Sequence, residues 1–168
     1  MAMFYAGVGS RKTPYRILVG MREAASELSD KGWSLRSGGA KGADSAFQLG
    51  VTNECMEIYR PSPEQKYDGA LWNQATEIAA KSHPVWVACS DYAKALHTRN
   101  VFQVLGADLN TPSRFVMCWT PDGAELWKDT TRATGGTGTA IRIADMYGVP
   151  VFNLANESAV NRINHWLF

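Results

Sequence analysis

Three short clusters of glycine, hydroxyl and basic residues could do chemistry in this sequence. In Gly135-Gly136-Thr137-Gly138-Thr139, two adjacent glycines, a third after one residue and two threonines open an apolar helical stretch. Glycines let backbone N–H groups converge on a bulky anion without Cβ clashes. The helix that follows adds unpaired donors and the positive end of its dipole, so the segment reads as a phosphate seat. Ser37-Gly38-Gly39-Ala40-Lys41-Gly42 is a second turn of this type, with Lys41 as a cation and Asp44 in the first turn of the next helix. A carboxylate there favours the helix dipole, and a ribose or base contact is its alternative role. In Gly7-Val8-Gly9-Ser10-Arg11, Gly9 lets the chain pass close to a ligand while Ser10 and Arg11 donate. Arg99 and Asn100, on a predicted helix, could reach the same rim, and His97 beside them reads as structural or exposed. None of these turns is a Walker A loop or a G-x-G-x-x-G fingerprint.

The elements that must position these residues follow from hydrophobic periodicity. Short apolar runs predict strands at residues 3–8, 33–36, 55–59, 114–119 and 151–154, several of them bounded by glycine. Amphipathic spacing predicts helices over residues 15–30, 43–51, 69–81, 92–105, 140–147 and 156–167. Residues 82–91 fit either a strand or a hydrophobic turn, and residues 120–134 form a long polar stretch. Strands alternating with helices imply βαβ units and a single α/β domain over residues 1–168. This is a three-layer Rossmann-like fold, with a mostly parallel sheet and helices on both faces. All three glycine clusters then fall at strand ends, where ligands of such sheets bind.

Composition narrows the class further. A chain with 45% apolar and 20% charged residues is globular rather than disordered, and a net charge of +1 excludes the broad basic field of a dedicated duplex binder. An anion must therefore be met by local geometry. Cys55, Cys89 and Cys118 form no C-x-x-C pair, so neither a disulfide framework nor a structural zinc site is expected. No metal or cofactor is assigned. The start of the chain does not look like a signal peptide, and no apolar run reaches the length of a membrane span, so a cytoplasmic location is expected.

Together these residues resemble the SLOG superfamily, which includes the DNA-processing protein A family and the Lonely Guy phosphoribohydrolases. The likeness to the DNA-processing family is the closer one and spans most of the chain. Residues 37–44 look like its S-G-x-A-[RK]-G-x-D element, Arg99-Asn100 like its Arg-Asn pair, and residues 135–140 with 148–151 like its last glycine-rich turn and strand. Phe47 stands near an Ala-His pair of that family. The Lonely Guy enzymes resemble residues 135–139 through P-G-G-x-G-T-x-x-E, but Thr134 replaces the proline and Arg142 the catalytic glutamate. Asp122, Glu125, Asp129, Asp44 and Glu157 are the candidate substitutes.

Three functions follow as expectations. The first is a non-catalytic sensor or sequestering protein that binds a phosphate-bearing nucleotide or nucleotide-derived signal. The second is a minimal single-stranded DNA binder. Its groove would be lined by Arg11, Arg36, Lys41, Arg99, Arg132 and Arg142, with Trp119, Trp127 or Tyr59 stacking on bases. The third is a hydrolase or transferase at a nucleotide N-glycosidic bond, for which no catalytic residue is assigned. The resemblance also implies a homo-oligomer, with the aromatic C-terminus, residues 163–168, as an interface or a lid on the core.

Overall fold

The computed structural model describes residues 1–167. Five strands form one sheet: β1 (Met3–Gly7), β2 (Trp33–Ser37), β3 (Met56–Ile58), β4 (Val116–Cys118) and β5 (Val151–Asn153). Their order is β3-β2-β1-β4-β5, and every pairing is parallel. Six helices cover it: α1 (Tyr15–Asp30), α2 (Ala43–Gln48), α3 (Gly69–Ser82), α4 (Asp91–Leu105), α5 (Thr137–Met146) and α6 (Glu157–Leu167). This is the three-layer Rossmann-like architecture, and the sheet is wholly rather than mostly parallel.

Each face of the sheet has its own apolar cluster. Tyr5, Leu35, Phe115 and Phe152 pack against Met21, Ala25 and Leu28 of α1, Phe47 of α2 and Ile163 of α6. Ala6, Val116 and Val151 point the other way, against Ala75 and Ile78 of α3, Val101 and Phe102 of α4 and Ile141 of α5. The period-2 alternation along a pleated strand divides neighbouring residues between the two faces. Gly7 belongs to this packing: a Cβ there would stand 2.7 Å from both Leu35 Cδ1 and Phe47 Cγ.

The structure gives form to two segments that the sequence left open and moves the start of one helix. Residues 82–91 contain no strand; α3 ends at Ser82 and the chain makes a 3-10 turn at Trp86–Ala88. Residues 120–134 form two further 3-10 turns, Trp127–Asp129 and Arg132–Thr134. Helix α5 starts at Thr137, inside the glycine cluster rather than after it. At the C-terminus, Ile163 is in the core, whereas Trp166 is half exposed and stacks on Phe152. Phe168 lies outside the described residues. No helix among the described residues is long and apolar enough to cross a membrane.

Candidate functional site

Strands β1 and β4 are neighbours at the centre of the sheet, but the chain leaves them towards opposite faces, β1 into α1 and β4 into α5. Such a divergence opens a crevice beyond the carboxyl ends of the strands. Here it holds a cavity of about 470 Å³. Gly9, Ser10, Arg11 and Lys12 line it after β1, Ala40 and Asp44 after β2, and Pro121 after β4. Ala93, Leu96, His97, Arg99, Asn100 and Gln103 of α4 form one wall, and Arg132, Ala133, Thr134, Gly135, Gly136 and Thr137 another. The lining carries Arg11, Lys12, Arg99 and Arg132 against one carboxylate, Asp44. A chain of net charge +1 thus concentrates positive charge at one place.

The start of α5 supplies the backbone donors. Gly138 and Thr139 N–H groups turn back onto the carbonyls of Gly135 and Gly136. Those of Gly136 and Thr137 meet no acceptor among the described residues. Gly135 needs its φ of +65° to make this turn, and a Cβ added at Gly135 or Gly136 would meet nothing within 4 Å. Open space, two free donors and the positive end of the helix dipole coincide here, which is the physical content of an anion seat.

The turn after β2 is built differently from a phosphate seat. The Asp44 carboxylate accepts from Gly38 N–H at 3.1 Å and Ala40 N–H at 3.3 Å, so two of the expected donors are occupied within the protein. Burial pushes the Asp44 carboxyl up to about 6, against the opposing pull of the Arg99 charge and these N–H groups. Lys41 is exposed and outside the lining, and Gly39 sits against the Arg60 guanidinium.

Arg99 and Asn100 act as a strut. Arg99 Nη1 donates to the carbonyls of Gly38 at 2.6 Å and Tyr59 at 3.1 Å, while its Nε donates to Asn100 Oδ1 at 3.0 Å. Asn100 Nδ2 in turn donates to Gly136 O at 3.4 Å. One pair of side chains on α4 therefore fixes the two glycine-rich turns relative to each other.

Of the sequence-predicted residues, Gly9, Ser10, Arg11, Ala40, Asp44, Arg99, Asn100, Gly135, Gly136 and Thr137 meet at the cavity. Gly7, Ser37, Gly38, Gly39, Lys41, Gly138 and Thr139 do not line it. Ser37 Oγ donates to Gly7 O at 2.8 Å inside the sheet, and Thr139 Oγ1 lies 2.8 Å from His97 Nδ1. Two expected groove arginines are interior. Arg36 is paired with Glu57 at 2.9 Å and donates to Thr111 O, and Arg142 donates to Ser82 O and Thr139 Oγ1. Tyr59 is buried and stacked on Phe102, so it presents no face to a base.

The substitute carboxylates are likewise engaged elsewhere. Asp122 accepts from the hydroxyls of Thr120, Thr131 and Thr134, and Glu125 pairs with Arg162 at 2.6 Å. Neither they nor Asp129 and Glu157 line the cavity.

Sequence reasoning missed Gln103. The residue is 1% exposed, lines the cavity, and has no partner for either side-chain amide atom among the described residues. A buried amide without partners is costly unless an occupant or water meets it. The available signal was its position four residues after Arg99, on the same helix face.

No family model matches the chain, and no curated protein matches it. Among solved structures, it is similar to DNA processing protein A from Helicobacter pylori, with a TM-score of 0.57 and 18% sequence identity. The match covers 98% of this chain and 72% of that one, and the study of that protein concerns its single-stranded DNA binding mode. At this identity the likeness is one of fold.

Proposed function

We propose that this Rossmann-like domain binds single-stranded DNA, with a backbone phosphate seated at the start of α5 and the strand following the basic cavity. The observation that carries this reading is the coincidence of four basic side chains, one carboxylate and the free N–H groups of Gly136 and Thr137 in one crevice. The fold shared with a DNA processing protein supports it. Such binding combines phosphate contacts with stacking. Tyr92, exposed in the first turn of α4 next to the lining residue Ala93, offers the stacking face.

A free nucleotide is the second reading. It is favoured by the cavity's bounded volume, which lies within the roughly 300–1,000 Å³ usual for small-ligand sites, and by the unpartnered Gln103 amide. Fluorescence anisotropy of a labelled oligothymidylate, competed with thymidine monophosphate, separates the two. The DNA reading expects binding that weakens with salt by a log–log slope of about −0.7 per phosphate contacted, and poor competition by the mononucleotide. Tight mononucleotide binding without oligonucleotide binding would favour the second reading, and no binding of either would overturn both.

The buried carboxylate makes this affinity pH-dependent. Asp44 is ionised above about 6, where its negative charge opposes a phosphodiester, and neutral below. A bound phosphodiester raises the carboxyl further, so binding takes up a proton and affinity rises as pH falls through about 6. The gain is about tenfold for each unit by which the bound anion shifts Asp44. His97, the other titrating group in the lining, is held neutral down to about 4 by burial and by the facing charges of His83, Arg142 and Arg99. Anisotropy titrations at constant ionic strength from about pH 7.5 to 5.5 measure the effect; Asp44→Asn should abolish the slope.

A further inference from the structure

Beyond the cavity, the connection between α3 and α4 gathers three metal-type ligands. His83 follows the last residue of α3, and Pro84 prevents the helix from continuing. The 3-10 turn at Trp86–Ala88 reverses the chain and delivers Cys89 just before Ser90, the N-cap of α4. His97 lies two turns further along α4. Cys89 Sγ stands 3.8 Å from each ring nitrogen of His83, and the His83 and His97 rings are 4.3 Å apart between centroids. One ligand atom from each of the three residues lies within 4.8 Å of the others.

We infer that His83, Cys89 and His97 form a zinc-binding site. Bonds of about 2.3 Å to sulfur and 2.0–2.1 Å to nitrogen put two tetrahedral ligands roughly 3.3–3.6 Å apart. Side-chain adjustments of about 1 Å therefore close the site around one ion. Thiolate and imidazole are the donor set that suits Zn(II). In the tautomer whose Nδ1–H is given to Thr139 Oγ1, 2.8 Å away, His97 keeps the Nε2 lone pair for the metal, the usual way in which an outer partner orients a ligating imidazole.

Three protein ligands leave the fourth position for water or an anionic oxygen. His97 also lines the cavity, so that position adjoins it. Arg142 donates to Thr139 Oγ1, the neighbour of His97, so its charge stands beside the site, while the Cys89 thiolate and an anionic fourth ligand neutralise the 2+ ion itself. Binding releases the Cys89 proton to solvent and involves no redox change. The site is independent of the DNA reading and stands or falls separately.

Titration of the full metal-free chain with Co(II), a coloured stand-in for zinc, tests it. The expected result is one equivalent bound, with a sulfur-to-cobalt charge-transfer band and the intense visible bands of a four-coordinate ion, both removed by added Zn(II). Cys89→Ser should lose the charge-transfer band, and His83→Ala should weaken binding by about tenfold or more. Cys55→Ser, remote in sequence from the cluster, should keep both signals. Circular dichroism establishes that each variant is folded. Failure of the folded parent to take up Co(II), or a charge-transfer band that survives Cys89→Ser, would overturn the assignment.

Discussion

Gly136→Asp is expected to fold as the parent does and to lose affinity for an oligothymidylate by about 30-fold or more. The backbone at Gly136 is already right-handed helical, with φ −62° and ψ −27°, and an added Cβ there meets nothing. The substitution therefore brings no packing strain. It places a carboxylate in front of the N–H groups of Gly136 and Thr137, where the phosphate is proposed to sit. Like charges forced together at an interface cost about 2 kcal/mol or more, which corresponds to the stated loss. Gly136→Ala adds bulk without charge and should retain most of the affinity. Equal affinities for the parent and a folded Gly136→Asp would move the phosphate away from α5.

Arg99→Met is expected to destabilise the fold by about 3 kcal/mol, because its partners are buried. Removing the guanidinium leaves the carbonyls of Gly38 and Tyr59 without their donor and the interior Asp44 carboxylate without the positive charge that acts on it. For a domain of this size the loss corresponds to a drop of about 6–12 °C in Tm. Adding Asp44→Asn should recover part of it, since the Arg99 charge acts on the Asp44 carboxyl. Thermal melts of the two single variants and the double variant measure that coupling. Independent, additive effects would mean that Arg99 holds the turns through its hydrogen bonds alone.

Much of this architecture was legible because local patterns determine it. Apolar runs ending in glycine marked the strands, and the glycine clusters marked their carboxyl ends, so the crevice could be located from the chain alone. The start of α5 was placed too late because glycines at 136 and 138 discourage a helix by propensity, whereas packing makes one there: eight consecutive residues from Thr137 onwards are buried. The same tertiary burial misled the reading of charge. Arg36 and Arg142 look like groove cations in sequence, but each is folded inward onto backbone carbonyls. In α4, all residues from Thr98 to Leu105 are buried, so no amphipathic pattern announces that Gln103 faces the cavity. The His83–Cys89–His97 cluster was invisible for a related reason: a turn and a helix assemble it, and its spacing matches no short metal motif.

The proposed function places a phosphate of single-stranded DNA on the backbone at the start of α5. Amide chemical shifts of the isotope-labelled protein, followed during titration with oligothymidylate at low salt, test it most directly. The N–H resonances of Gly136 and Thr137 are expected to move furthest, with the Gln103 side-chain amide and Gly9 moving alongside them and the β5–α6 edge unchanged. Saturation that leaves the Gly136 and Thr137 amides in place while other surfaces shift would contradict it.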